Sequence, residues 1–325
     1  MRPSLFVLAV SLALPLEGRA AYPERPITLI VPFAAGGPTD VVARIVGEHM
    51  SRTLGQRVVV ENVVGAGGTI ASTKAAQATP DGYTLIMGHM GTHGAAPAVY
   101  PDLKYDPAKS FAPIGMAAGT PILIVAKKSF PAKDLKEFVA YLKKNSETLN
   151  EAHAGVGSVS FTTCAFFNSL VGAKPTRVVY RGTGPALNDL VSGQVDYMCD
   201  QIVNLVPQIQ AGTIKAYGVA LPQRSPALPD VPTTKEGGLP EFQVSAWNAI
   251  FAPKGTPPEV VKKLSDALTK ALADENTRKR LVDLGADLSD KAAQTPEGLA
   301  KLVDSEVARW KKVLASVSKD APPPK

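Results

Sequence analysis

Residues 34–39, Ala-Ala-Gly-Gly-Pro-Thr, have the makings of an anion site. An apolar run at 27–31 reads as a strand leading into them, and from Asp40 onward the apolar period is that of a helix. A strand–loop–helix unit aims unpaired backbone N–H groups over its loop, where they favour a carboxylate or a phosphate. The spacing is not the G-x-G-x-x-G of a dinucleotide site, and no Gly-Lys-Ser/Thr closes a P-loop, so a nucleotide is not the expected ligand. The competing reading is a tight turn that only connects a strand to a helix.

Five further loops fall at the carboxyl ends of predicted strands, where doubly wound sheets bind ligands: 65–69, 89–94, 155–160, 182–186 and 200–201. They are rich in glycine, alanine, serine and threonine and nearly free of charge. Such loops suit backbone donors and small hydroxyls closing over a small acid, each helix N-terminus adding about 0.3–1 kcal/mol, or about 2 in a partly buried site. Asp200 is the one carboxylate at a strand end in this set. It either receives a ligand ammonium group or holds a hinge water, against the plainer reading of a cap or surface acid. Arg181, before the Gly-Thr-Gly loop, reads as a solvated strand-end arginine in competition with a carboxylate contact.

Ser158 and Ser160 invite a nucleophile reading, but no G-x-S-x-G elbow and no base with an orienting acid accompany them. His153 alternates with strand residues, which favours a structural role. His49, His89, His93 and His153 lack metal-ligand spacing backed by cysteines or carboxylates, so neither a metal nor a cofactor is expected, and neither is an enzyme.

The elements that must position these loops follow from periodicity. Strands at 27–31, 58–61 and 85–87 alternate with helices from Asp40 to about 53 and from 69 to 78, a βαβαβ pattern that implies a parallel sheet. The alternation repeats with strands at 122–126, 151–154, 177–180 and 195–200 and helices at 135–144, 160–170 and 186–192. A strand at 247–251 then leads to helices at 258–273, 275–284 and 295–316. The expected fold class is α/β: two doubly wound lobes joined by a hinge, the architecture of a two-lobe receptor. Residues 21–122 and 248–325 form lobe 1, and 123–247 form lobe 2.

Arg2, the apolar run at 5–16 and Gly18-Arg19-Ala20 read as a signal peptide over 1–20, too short to span a bilayer. The chain is therefore expected to be exported to the periplasm. Its 325 residues exceed what one core usually supports. The net charge of +6 is spread without a like-charge block, which argues against nucleic acid and leaves only a mild field for anions. Cys164 and Cys199 are an even pair in an oxidising compartment. A bridge is expected, with two buried free thiols as the alternative. The tail at 321–325 is expected to be disordered.

Several motifs together resemble the TctC/Bug family, the periplasmic binding proteins of tripartite tricarboxylate transporters. They are Tyr22-Pro-x-x-Pro-Ile-Thr-Leu-Ile-Val-Pro-Phe-Ala-Ala-Gly-Gly-Pro-Thr-Asp40, Val60-Glu-Asn62, Gly65-Ala-Gly-Gly68, Pro80-Asp-Gly-Tyr-Thr-Leu85 and Ala252-Pro-Lys-Gly-Thr-Pro257. Tyr180-x-Gly-Thr-x-Pro-Ala186, Gly193-Gln-Val-Asp196 and Leu228-Pro-Asp-Val-Pro-Thr233 continue the match over essentially the whole mature chain. Met198-Cys-Asp-Gln201, with a cysteine in the helix after Ala154-Gly-x-Gly157, resembles most the aspartate-binding BugD branch.

The resemblance implies a type II-like periplasmic-binding-protein fold, a Venus flytrap, working as a monomeric two-lobe clamp that closes on a small carboxylate or amino acid, one carboxyl being held by residues 34–39 and bridging waters. It implies docking on large and small integral-membrane subunits similar to TctA and TctB. Carried over by position, it assigns ligand contacts to Ala34, Ala35, Gly36, Thr39, Ser158, Thr183 and Asp200. His89, Thr92, Ser160 and Ala186 lie in the same loops and complete the candidate set, with 88–93 expected to shape the distal end of the pocket. Aspartate, glutamate, C4 dicarboxylates and aromatic acids such as nicotinate or terephthalate all suit the implied family. A sensor that docks on a signalling receptor is the rival reading from another class.

Overall fold

The computed structural model describes residues 22–317. The expected signal peptide at 1–20 and the tail at 321–325 lie outside the described residues. In chain order the first elements are β1 (Ile27–Val31), α1 (Pro38–Leu54), β2 (Val58–Asn62), α2 (Thr69–Ala76), β3 (Thr84–His89), α3 (Ala96–Val99) and β4 (Phe111–Lys127). Then come α4 (Leu135–Asn145), β5 (Asn150–His153), α5 (Val159–Val171), β6 (Thr176–Val179), α6 (Thr183–Ser192), β7 (Tyr197–Gln201), α7 (Ile202–Gln210) and β8 (Ile214–Val219). The chain ends with β9 (Ser245–Pro253), α8 (Pro258–Ala273), α9 (Glu275–Asp283) and α10 (Pro296–Val317).

β1 lies parallel between β2 and β3, with Leu29 opposite Val60 on one side and Leu85 on the other. Its apolar run is buried because α1 and α2 cover the two faces, the arrangement that parallel crossovers impose. α1 starts with Pro38, whose missing N–H costs nothing at a first helical position, and stops at Gly55 with φ 69°. Val42, Ile45, Val46, Met50 and Leu54 form its buried stripe, each worth about 1.5–3 kcal/mol when fully removed from water.

The sheet is mixed beyond β3. β9 pairs antiparallel with β3 and with the first part of β4, Phe111 to Pro121, while from Ile122 onward β4 pairs with β7 on one edge and β8 on the other. β5 continues that second sheet, parallel to β7 and β6. A third strap crosses beside the switch point, where Gly119 and Asp287 exchange backbone hydrogen bonds at 2.8 Å. Cys164 on α5 and Cys199 on β7 are joined as a disulfide under this sheet, both fully buried, with Cα atoms 5.2 Å apart.

The strand expected at 122–126 is only the end of β4. Pro113, Gly115, Gly119 and Pro121 hide the earlier half, and the ladder tolerates them through register shifts between Pro113 and Gly115 and between Met116 and Ala118. α7 was not expected because Pro207 interrupts it. Burial of Ile202, Val203, Leu205 and Val206 outweighs the hydrogen bond lost at that proline.

Candidate functional site

Three helix N-termini converge between the two sheets. Gly37, Pro38 and Thr39 open α1, Ser158, Val159 and Ser160 open α5, and Thr183 opens α6; all line one small cavity with Phe33, His89, Ala154, Asp200 and Gln201. In α1 the first amide to bond back is that of Val41, to the Gly37 carbonyl at 3.0 Å, which leaves the Thr39 and Asp40 amides of the first turn without helical partners. In α5 the Ser158 hydroxyl accepts the Phe161 amide at 3.2 Å, an N-cap that leaves the Val159 and Ser160 amides. No lysine or arginine lines the cavity. Its positive potential comes from helix ends, so it can hold a carboxylate without an ion pair.

A buried carboxylate fixes the first of these helix ends. Asp40 accepts the Gly36 amide at 3.0 Å, both Arg44 Nε and Nη2 at 2.9 Å, and Asn62 Nδ2 at 2.9 Å, while the same Asn62 nitrogen reaches the Phe33 carbonyl. Burial works to raise its pKa, but the bonds from Arg44, Asn62 and Gly36 together hold it below the usual carboxylate range. Phe33 stacks on His89 with ring centres 4.9 Å apart. Burial lowers the His89 pKa to about 4, and its Nδ1 accepts the Thr92 amide at 3.1 Å. The neutral ring therefore carries its hydrogen on Nε2, as a donor.

The second sheet contributes Asp200 and Gln201 from the end of β7. Gln201 Oε1 accepts the Thr120 hydroxyl at 2.7 Å and Asn248 Nδ2 at 2.8 Å, which sets the amide flip and leaves its NH2 group as the donor facing other partners. Burial raises the Asp200 carboxyl to about 6, against the steadying effect of the Gln201 amide and the Thr183 and Asn204 side chains.

The cavity is closed on two flanks by backbone touching backbone. On one flank the Ala34 amide donates to the Arg181 carbonyl at 3.0 Å, and a Cβ at Gly184 would stand 2.6 Å from the Ala35 oxygen. On the other, the Tyr100 hydroxyl reaches the Val156 carbonyl at 2.7 Å and the Ala66 carbonyl at 3.0 Å, and a Cβ at Gly67 would stand 1.9 Å from the Val156 oxygen. Only glycine allows these approaches.

The family described as tripartite tricarboxylate transporter family receptor, TctC, matches residues 42–318. The chain belongs to this family. A protein of Agrobacterium vitis, the UPF0065 protein in the TAR-I ttuE-ttuC' intergenic region, is 42% identical over 96% of this chain and 91% of its own length. Among solved structures, MatC (Rpa3494) from Rhodopseudomonas palustris with bound malate is 52% identical, with a TM-score of 0.88, over 90% of this chain and 100% of its own. The periplasmic binding protein BugD is 44% identical, with a TM-score of 0.88, over 91% of this chain and 99% of its own. The fold is thus the mixed α/β fold of periplasmic binding proteins, and this TctC-family chain is a solute-binding protein rather than an enzyme.

Of the residues singled out in sequence, this receptor brings Thr39, His89, Ser158, Ser160, Thr183 and Asp200 to one cavity. Ala34, Ala35 and Gly36 do not line it. Ala34 is tied to Arg181, Ala35 packs against the Gly184 loop, and the Gly36 amide is drawn to Asp40, so Gly37 and Pro38 take the lining positions. Thr92 turns away, its hydroxyl bonded to His93 Nδ1 at 2.9 Å, while its amide donates to His89 Nδ1; Ala186 is on the buried face of α6, in the core. Ser158 and Ser160 share a hydrogen bond at 3.2 Å, and Ser160 accepts the Ala154 amide, so both serve as loop caps. Arg181 is exposed and offers only its carbonyl. Phe33, Asp40, Gln201 and Tyr100 were missed. Asp40 carries a readable signal, an acid in the first turn four residues before an arginine; Tyr100 has none, because its partners are distant in sequence.

Proposed function

We propose that the protein is a periplasmic receptor that captures a small carboxylic acid in the cleft between its sheets and hands it to integral-membrane subunits of a tripartite transporter. The observation that carries this reading is the convergence of the α1, α5 and α6 N-termini on a cavity lined by no cation. Malate in MatC supports the same class. Residues 21–122 with 248–325 are taken as one lobe and 123–247 as the other, a division supported by the exchange of β4 partners after Pro121. Calorimetry of the mature chain with malate, succinate, aspartate, glutamate, nicotinate and terephthalate tests the reading. Micromolar or tighter binding of at least one C4 or C5 acid is expected; binding of none, or only of the aromatic acids, overturns it.

A further inference from the structure

The bridge between Cys164 and Cys199 stands one helical turn from the cavity. On α5 the residues Ser160, Cys164 and Asn168 recur at every fourth position and so share one face of the helix. On β7 Tyr197, Cys199 and Gln201 alternate with Met198 and Asp200 and share one face of the strand. The two rows meet as a ladder. Farthest from the cavity the Tyr197 hydroxyl donates to Asn168 Oδ1 at 2.9 Å, and in the middle the two sulfurs are bonded, both cysteines fully buried. At the open end Ser160 and Gln201 both line the cavity. Each is held from its own side: the Ser160 hydroxyl accepts the Ala154 amide at 3.0 Å, while Gln201 Oε1 accepts from Thr120 and Asn248.

Resting on the receptor reading above, we propose that the Cys164–Cys199 bridge is a positioning element for ligand capture: it sets the gap between the α5 helix end and Gln201 in which the acid is held. Helix-end amides and a side-chain amide hold a carboxylate well only if they already stand at hydrogen-bond distance, because ordering them on binding costs affinity. The bridge supplies that order. Two thiols cannot approach as closely as two bonded sulfurs, so without the bond α5 rides away from β7, and a close-packed interior passes the displacement to Ser160 along a single helical turn. The hydrogen bond at Asn168 is no substitute, since it lies a further turn from the cavity and yields more readily than a covalent bond. Full burial keeps the bridge out of reach of small thiols in the folded chain, so its state is set while the chain folds. Neither cysteine lines the cavity, and both act through the α5 helix end and Gln201.

Calorimetry with L-malate, L-aspartate and succinate compares the oxidised chain with two forms that lack the bond. One is the same chain refolded with dithiothreitol, which is oxidised to its cyclic disulfide as the cysteines become two thiols; the other carries Cys164→Val and Cys199→Ala, which refill the space. Leu142→Ala, on the buried face of α4 and outside the cavity lining, is the control for lost stability. All of these forms should melt below the oxidised chain. Only the two without the bond should also bind more weakly, by at least about fivefold for whichever acids the oxidised chain holds, and reoxidation of the dithiol chain should restore its Kd. A bridge that merely stabilises the fold lowers the melting temperature and leaves Kd alone. A smaller rise in Kd in either bridge-free form, or an equal rise in Leu142→Ala, overturns the proposal while the receptor reading stands. Failure of every acid to bind the oxidised chain overturns both. The Cys164→Val, Cys199→Ala chain needs no reductant, so it still reports on positioning if the dithiol chain does not refold.

Discussion

Gly184→Ala should strengthen the fold and weaken the ligand, two effects of opposite sign from one methyl group. Gly184 is the second residue of α6, where alanine is the better helix former, by up to about 1 kcal/mol. Across the cleft, the new Cβ would meet the Ala35 oxygen at 2.6 Å and backbone atoms of Gly36 and Gly37 at 3.1 Å. Relief to an ordinary contact of 3.4 Å needs the flank to part by roughly 0.8 Å, which stretches the Ala34–Arg181 bond from 3.0 Å past the ~3.2 Å limit of a sound amide bond. Losing that bond costs about 0.5–1.5 kcal/mol, and residual overlap raises the total to about 1–2, a five- to thirty-fold rise in Kd. If the two lobes part when no ligand is bound, as the clamp reading requires, the unliganded protein should melt at the same temperature or slightly higher. Calorimetry with the best-binding acid and a melt without ligand read the two effects separately. An unchanged Kd would show that closure on this flank is loose; a fall in melting temperature would show that the contact belongs to the fold and not to closure.

Tyr100→Phe should weaken all ligands alike, about three- to ten-fold, because it removes one interlobe hydrogen bond and touches no ligand; stopped-flow release should quicken with little change in association, and a loss that differs by ligand would refute this. Glu151 gives a pH prediction away from the cleft: burial raises its pKa to about 7, Arg177 standing 4.0 Å away and Asn168 donating to it being too weak to offset this. A raised acid leaves its stability whole below the unfolded value of 4.5 and loses it as pH climbs through 7, so Glu151→Gln should gain on wild type by up to about 3 kcal/mol between pH 4.5 and 8; a gap that does not change with pH would refute it.

The elements that carry their own local pattern were legible in sequence. β1, α1 and α8 each have a single period and a clear stop, and their bounds fall within two residues of expectation. β4 was half hidden because its first half is held by β9, a strand far along the chain, and so needs no regular alternation of its own. The cleft shows the same division. Loops at strand ends located Thr39, Ser158, Thr183 and Asp200, because helix starts have local signatures. They could not show that the Gly36 amide turns to Asp40, nor that Tyr100 reaches Val156, since both depend on how side chains pack in three dimensions.

Two separate parts of the molecule then set affinity, and they respond differently to mutation. Helix ends and Asp200 line the cavity, so on the proposed reading changes there should alter one class of acid relative to another. Gly184, Gly67 and Tyr100 lie outside the cavity lining and hold its flanks together, so on the clamp reading changes there should shift the closed population and alter every ligand by the same factor. A cavity with no lysine or arginine makes this separation sharp. On the clamp reading, the flank contacts then add to what the helix ends supply, and a partner that parts the two glycine flanks would weaken the hold on any acid without touching it.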